Sequence, residues 1–361
     1  MDDRLKLGTG LNLGGWLSQA PYEDEHRTRF VTEADFARIA AWGFDNVRIP
    51  FDYPLLVPDG RFDETSMEAG FAWLDRAIEW AGNHGLRAIL DMHSLPGYTF
   101  MDPVNNPDAV PALFVEPQVQ AHFFGLWRAI AARYLGRFDH VVFELANEIA
   151  APDAGQWNDL AARAVRAIRE VDTKRPIVVG SNCWNVTFTF KELALIDDPA
   201  IIYNFHFYNP FPFTHQLAPW SPELMAYGKT VDYPGRIPGL RSAGATARAA
   251  GNERIGDQLS QLADFFEERV SDAIYLEELM GDAFAFAATH DVPLYCGEFG
   301  VYAVASPDSM ARWFRDVLGI FGRRDVSWSV WSYKGEGFGV VGQDGKVISE
   351  EVLALLRGFG G

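Results

Sequence analysis

The stretch Val141-Val-Phe-Glu-Leu-Ala-Asn-Glu-Ile-Ala150 decides how this chain is read. Val141, Val142, Phe143 and Leu145 form a short β-favouring apolar run, the composition of a buried strand. The run breaks at Asn147-Glu148, where apolar packing gives way to polar groups. An Asn-Glu pair alone carries little information. The same context recurs, however, at Pro293-Leu-Tyr-Cys-Gly-Glu298-Phe-Gly300, again a short apolar strand ending in Glu. Two acids at the ends of two strands make a catalytic pair if both strands belong to one parallel barrel.

The rest of the chain supplies such a barrel. Upstream, apolar runs of strand length begin near residues 8, 45 and 86, and the run through Glu148 begins near 140. Downstream they begin near 176, 201, 292 and 326. Helical stretches are predicted between them. Thr32-Glu-Ala-Asp35 has capping-box spacing and opens a helix with Phe36, Ile39 and Ala40 on its apolar face; further helices are expected over 65–83, 117–135 and 157–170. Eight strands alternating with helices predict a single α/β domain over residues 1–361, a (β/α)8 TIM barrel. The interval from 201 to 292 is too long for one helix. It predicts a subdomain inserted after the sixth strand, at roughly 209–270, rich in proline, glycine and aromatics early and helical late. An insertion after a strand falls on the face where barrel active sites lie, so this one is expected to form part of the cleft.

Composition narrows the function classes. The chain is 48% apolar and 22% charged, enough for a large core and unlike a disordered protein. A net charge of −18 argues against nucleic acid or an anionic membrane as partner, since both select clustered Lys and Arg. Cys183 and Cys296 are too few for a disulfide framework or a cysteine-rich zinc site and are expected as small core residues. Gly8 and Gly10 begin a dinucleotide fingerprint, but Leu13 stands where its third glycine belongs. With no His-Glu-x-x-His motif, no P-loop and no tight His/Asp cluster, neither cofactor nor metal is expected. The Met-Asp-Asp-Arg start carries no signal-like pattern and no stretch of about 20 apolar residues occurs. A cytoplasmic monomer is therefore the expectation, or a secreted protein if a leader has been removed.

On this alignment one rim of the barrel collects Arg48, His93, Asn147, Glu148, His206, Tyr208, Glu298 and Trp331. Each alone has an ordinary structural explanation: an arginine pairs with a nearby acid, a histidine bonds in the core, a tryptophan packs. Eight such residues on one rim, above apolar strand interiors, are hard to explain by packing. Glu144 is the rival acid on the fourth strand. Four residues before Glu148, it should lie about 13 Å deeper at roughly 3.3 Å per residue, as a buried acid paired with Arg48.

With these residues in place the chain resembles glycoside hydrolase family 5, over nearly its whole length. GLNLGGWLSQ (10–19), VRIPFDYPLL (47–56), ILDMHSLPGY (89–98) and YCGEFGVY (295–302) look like the bacterial endoglucanases of the clostridial cellulase C type. The Asn-Leu-Gly-Gly-Trp start is shared with fungal exo-β-1,3-glucanases. The resemblance implies retaining hydrolysis of β-glucan or a cello-oligosaccharide by an endo-β-1,4-glucanase, extending to mixed-linkage glucan. Exo-β-1,3-glucanase, β-mannanase, β-glucosidase and a non-catalytic sugar-binding barrel are the alternatives.

It further implies Glu298 as nucleophile, held ionised by Arg48 and Tyr208, and Glu148 as acid/base, its proton affinity raised by the charge of Glu298. Asn147 would meet the sugar 2-hydroxyl and His93 the same sugar. His206 would tune proton traffic, and Trp331 would be the floor beneath the pyranose ring. Trp16, Tyr98, Phe211 and Trp220 are expected as cleft aromatics.

Overall fold

The computed structural model describes residues 5–358 apart from 59, 61–63 and 336. Its strands are β1 (Thr9–Asn12), β2 (Asn46–Asp52), β3 (Arg87–Ser94), β4 (Val141–Glu144), β5 (Ile177–Gly180), β6 (Ile201–Phe207), β7 (Leu294–Phe299) and β8 (Ser327–Val330). They pair in sequence order, all parallel, and β8 closes on β1. This is the eight-stranded αβ barrel that the strand count predicts.

Period-2 alternation sorts each strand into two faces. Val47, Ile49, Leu90, Phe143, Val179, Phe205 and Val330 point outward and join one large core with the surrounding helices. The inward-facing residues change character with depth. At the base, Leu7, Ile89, Val142, Val178, Ile202 and Tyr295 form a separate apolar cluster inside the barrel. Two residues further along their strands stand Asp91, Glu144 and Asn204, all fully buried. The interior thus turns from apolar to charged toward the C-terminal ends, where the rim residues stand.

In the outer layer, Glu33–Ala41, Glu64–Asn83, Pro117–Tyr134 and Ala154–Arg169 fall on the four helices the sequence names, and Gly281–His290, Pro307–Arg324 and Glu350–Gly358 join them. Asp35 closes the first of these, accepting from the Thr32 backbone N–H at 2.8 Å and from its hydroxyl at 2.9 Å. Between β5 and β6 the described chain has only the turns Asn182–Asn185 and Thr187–Lys191. Cys183, Trp184 and Asn185 there have φ of 56°, 57° and 56°. Three successive non-glycine residues in the left-handed region cost about 1–2 kcal/mol each, so the surroundings must hold them there. Cys183 is accordingly half-buried in this turn and not a core residue; Cys296 is buried.

After β6 the chain forms Phe211–Thr214, Pro222–Tyr227, Leu240–Ala249, Glu253–Phe266 and Ala273–Leu279 before the helix Gly281–His290. Helices Leu240–Ala249 and Glu253–Phe266 pack closely because Gly244 and Gly256 face each other. A Cβ on Gly244 would lie 2.9 Å from the Gly256 carbonyl oxygen.

Candidate active site

Arg48 is the hub. It is the third residue of β2 and fully buried, below the strand end at which the sequence places it, because β2 runs on to Asp52. All five of its N–H donors are engaged. Nε and Nη2 grip the two oxygens of Glu144 at 2.7 and 3.0 Å, and Nη2 also reaches Asn147 Oδ1 at 2.8 Å. Nη1 donates to Glu298 Oε1 at 2.6 Å and to Asn12 Oδ1 at 2.9 Å. Asp91 adds a further carboxylate 3.0 Å from Nη2. Glu144 also accepts from Asn204 Nδ2 at 2.9 Å. Three N–H donors on its oxygens commit it to Arg48, as its depth implies, while burial raises its carboxyl to about 7.

Glu298 lies in β7 directly beside His206 of β6, where the pairing shifts by one residue. Its second oxygen accepts from the Tyr208 hydroxyl at 3.0 Å. Burial, and then the charge of Glu298, push the Tyr208 hydroxyl well above its ordinary range, so it remains a donor.

Glu148 lies beyond β4, which ends at Glu144 and so is shorter than the apolar run suggests. There the backbone leaves the ladder, with Asn147 N–H bonding to the Met92 carbonyl at 3.2 Å. Glu148 Oε1 is 2.8 Å from His206 Nδ1, which is itself 3.7 Å from Glu298 Oε2. One oxygen of each glutamate and a ring nitrogen of His206 all lie within 4.8 Å of one another.

The two glutamates have different surroundings. Burial raises Glu148 to about 7, against the opposing charges of His93 and Arg48. Desolvation, and not the charge of Glu298 that the resemblance implies, is therefore the main source of its proton affinity. His93 is driven the other way. Burial opposes its charge, but Asp91, accepting from Nδ1 at 2.7 Å, outweighs that and raises it to about 9. Burial takes His206 down to about 4. The carboxylate beside His93 and the burial of His206 thus drive two histidines of one pocket in opposite directions.

Trp331 follows β8, and its ring lies parallel to His93 with centroids 5.7 Å apart. Tyr208 packs edge-on against His215 and Phe338, and these continue to Phe211, Trp220 and Tyr302. Trp220 is 44% exposed at the end of this chain of rings.

Two expected cleft aromatics are elsewhere. Trp16 is fully buried, stacked on Trp80 at 6.2 Å and donating to the Arg27 carbonyl, so it cements the outer layer. Tyr98 is buried too. Its hydroxyl donates to the Glu148 carbonyl at 2.6 Å and accepts from Ala150 N–H at 2.8 Å, which holds the Glu148 backbone and not a ligand.

Sequence reasoning passed over Asn12, Asp91, Asn185, Asn204, His215 and Phe338. Asp91 and Asn204 had a signal, for each stands two residues before a rim histidine and so shares its face of the strand. Asn185 had none, because its place depends on the left-handed turn.

A barrel with one acid just beyond β4 and one on β7, the first raised to about 7 by burial and the second bound to arginine and tyrosine, defines a two-carboxylate glycosidase architecture. The comparisons agree. The profile described as Cellulase (glycosyl hydrolase family 5) matches residues 11–337, and the chain belongs to that family of glycoside hydrolases. It is 39% identical to Endoglucanase C of Acetivibrio thermocellus, over 96% of this chain and 97% of that protein. To Cellodextrinase A of Ruminococcus flavefaciens it is 32% identical, over 88% of this chain and 83% of that one. Among solved structures, the endoglucanase Cel5A from Thermotoga maritima superposes with a TM-score of 0.75 at 25% identity, covering 98% of both chains.

Proposed function

We propose that the protein is a retaining endo-β-1,4-glucanase, hydrolysing β-glucan or cello-oligosaccharides by double displacement and accepting mixed-linkage β-1,3/1,4-glucan. The observation that carries this reading is the approach of Glu148 and Glu298 oxygens to within 4.8 Å. Retaining enzymes hold their carboxyls about 5–5.5 Å apart, whereas inverting enzymes need roughly 6.5–9.5 Å to admit a water.

Glu298 attacks the anomeric carbon while Glu148 gives its proton to the departing oxygen. The glycosyl-enzyme ester removes the negative charge from Glu298. Glu148, now ionised, takes a proton from water, which attacks the same carbon and releases the sugar with its configuration kept. Asn147 has Oδ1 tied to Arg48, so its NH₂, which also faces His93 Nε2 at 3.4 Å, is the end that meets the sugar 2-hydroxyl. His93 and Trp331, stacked on each other, offer the same sugar an imidazole and an indole ring.

The segment 209–270 forms part of the cleft wall in this reading. Its support is the run of rings that links Tyr208 to the exposed Trp220. The β-1,4 preference is supported by the relatives named endoglucanase and cellodextrinase.

The test is a product profile on cello-oligosaccharides, laminari-oligosaccharides, mannan and barley glucan, with the first-formed anomer read by proton NMR. Internal cleavage of cello-oligosaccharides giving the β-anomer first is the expected result. An α-anomer formed first would sink the retaining mechanism. Preference for laminari-oligosaccharides or mannan would sink the linkage assignment.

A further inference from the structure

His206 is fully enclosed, and each ring nitrogen meets different chemistry. Nδ1 faces Glu148 Oε1 at 2.8 Å. Nε2 faces two side-chain amide nitrogens, Asn185 Nδ2 and Asn204 Nδ2, each at 3.4 Å. An amide can be turned end for end, so what these groups present to Nε2 depends on their other partners. Both are fixed. Asn185 Nδ2 must donate to the Asn147 carbonyl at 2.7 Å, where an oxygen would face an oxygen. Asn204 Oδ1 accepts from Gly297 N–H at 2.8 Å while its Nδ2 donates to Glu144 at 2.9 Å. Two NH₂ groups therefore point at Nε2, and that nitrogen must be the acceptor.

We infer that Asn185 and Asn204 lock His206 as the Nδ1–H tautomer, so that it donates to Oε1 of Glu148 and confines the acid's proton to Oε2. The inference rests on the assignment of Glu148 as acid/base. It makes Asn185 a positioning residue for the reaction, acting through His206 from the strained turn after β5.

The consequence is mechanistic. With Oε1 already accepting, Oε2 is the oxygen that carries the proton to the leaving group. When that proton is gone, the Nδ1–H bond stabilises the carboxylate formed. A second proton on His206 would be damaging, since an imidazolium 2.8 Å from Glu148 would favour the ionised acid before substrate is cleaved. The amides at Nε2 prevent it. The charged groups around the ring divide, with Glu298 and Asp91 favouring protonation and Arg48 and His93 opposing it. Burial and the absence of an acceptor at Nε2 keep the ring neutral. The Asn185 backbone supports this aim. The turn is held by Trp184 N–H bonding to the Ile149 carbonyl at 2.8 Å and by Trp184 Nε1 bonding to the Phe100 carbonyl at 2.9 Å. Left-handed φ at Asn185 directs its side chain back under Asn147.

Two measurements test this. In protein labelled with ¹⁵N-histidine, two-bond ¹H–¹⁵N spectra report the tautomer of each ring, and the His206 signals are identified by their loss in His206→Asn. The expected spectrum has a protonated Nδ1 and a bare Nε2, unchanged from pH 5 to 8. A protonated Nε2, or titration within that range, would overturn the lock whatever the activity. The second measurement is the pH profile of Asn185→Asp, which presents an acceptor to Nε2. The resulting imidazolium should move the basic limb of kcat/KM on a cello-oligosaccharide to lower pH by about one unit or more. Hydrolysis of an aryl glycoside with a good leaving group should keep its rate. A lowered melting temperature with equal losses on both substrates and an unmoved limb would leave Asn185 a structural residue only, and the inference would fail. Should that variant not fold, the spectrum of the unaltered protein decides alone. The acid/base assignment itself fails differently, through Glu148→Ala showing no discrimination between leaving groups.

Discussion

Glu148 keeps its proton near neutrality because its carboxyl is enclosed between strand ends, and two substitutions separate its work from that of Glu298. Glu148→Ala should slow cello-oligosaccharides by orders of magnitude more than a dinitrophenyl glycoside, whose leaving group needs no proton. Glu298→Ala should abolish turnover of both, and added azide should yield no product of retained configuration. If Glu144→Gln showed the leaving-group discrimination instead, the acid on the β4 side would be wrongly assigned. The pH dependence follows from the same burial. If Glu148 is the acid, as proposed, it must be protonated to act, and kcat/KM should fall as pH rises through about 7. Its carboxyl is raised from 4.5 to about 7 on folding, so the folded state holds a proton that the unfolded chain releases within that window. Stability contributed by this group is therefore present below 4.5 and lost as pH rises through about 7. Glu148→Gln should flatten the decline in melting temperature between pH 5 and 8. An unchanged decline would place its cause elsewhere.

At the scale of elements, the proposed function makes the segment after β6 the link between the chemistry and remote parts of a substrate. Prolines fix φ along it, and its rings pack on one another from Tyr208 outward. Phe211 lies 4.4 Å from His215 and is half-buried, so its loss would loosen the wall, whereas Trp220 presents an open face. Trp220→Ala should lower kcat/KM several-fold on long cello-oligosaccharides while sparing the shortest cleavable one, because remote binding supports the chemical step. Equal losses on short and long substrates, accompanied by a lower melting temperature, would mean that the ring only anchors the segment. In the turn after β5, three successive left-handed residues bring Asn185 to His206.

For the whole molecule, Arg48 ties the barrel together from inside. It joins Asn12 of β1, Asp91 of β3, Glu144 of β4, Asn147 beyond it and Glu298 of β7. A buried charge set of this kind contributes little net stability over apolar packing, yet losing one partner strands the others. Arg48→Met leaves Asp91, Glu144 and Glu298 without their shared cation. It should cost about 3–5 kcal/mol in denaturant unfolding and also eliminate activity. The exposed pair Arg324–Glu277 is the control, and Arg324→Ala should cost no more than roughly 1 kcal/mol. A loss of under about 1 kcal/mol for Arg48→Met would show that the carboxyls simply take up protons instead.

What the sequence determined by itself was whatever depends on local pattern. Short apolar runs spaced by helical periods specify eight parallel strands, since strands covered on both faces must be apolar throughout. The repeated context of Glu148 and Glu298 marked the pair, and the four-residue offset of Glu144 marked it as the deeper acid. What only the tertiary structure decided depends on neighbours far apart in the chain. The depth of Arg48, the desolvation that raises Glu148, and the opposite shifts of His93 and His206 are set by the folded surroundings. Trp16 and Tyr98 read as cleft aromatics because a ring suits either a sugar or a core, and only burial separates the two. Asn185 reaches His206 from 21 residues away through a left-handed turn that it shares with Cys183 and Trp184, whose side chains do not favour that conformation. No propensity encodes that, because the turn is held by hydrogen bonds from the loops after β3 and β4.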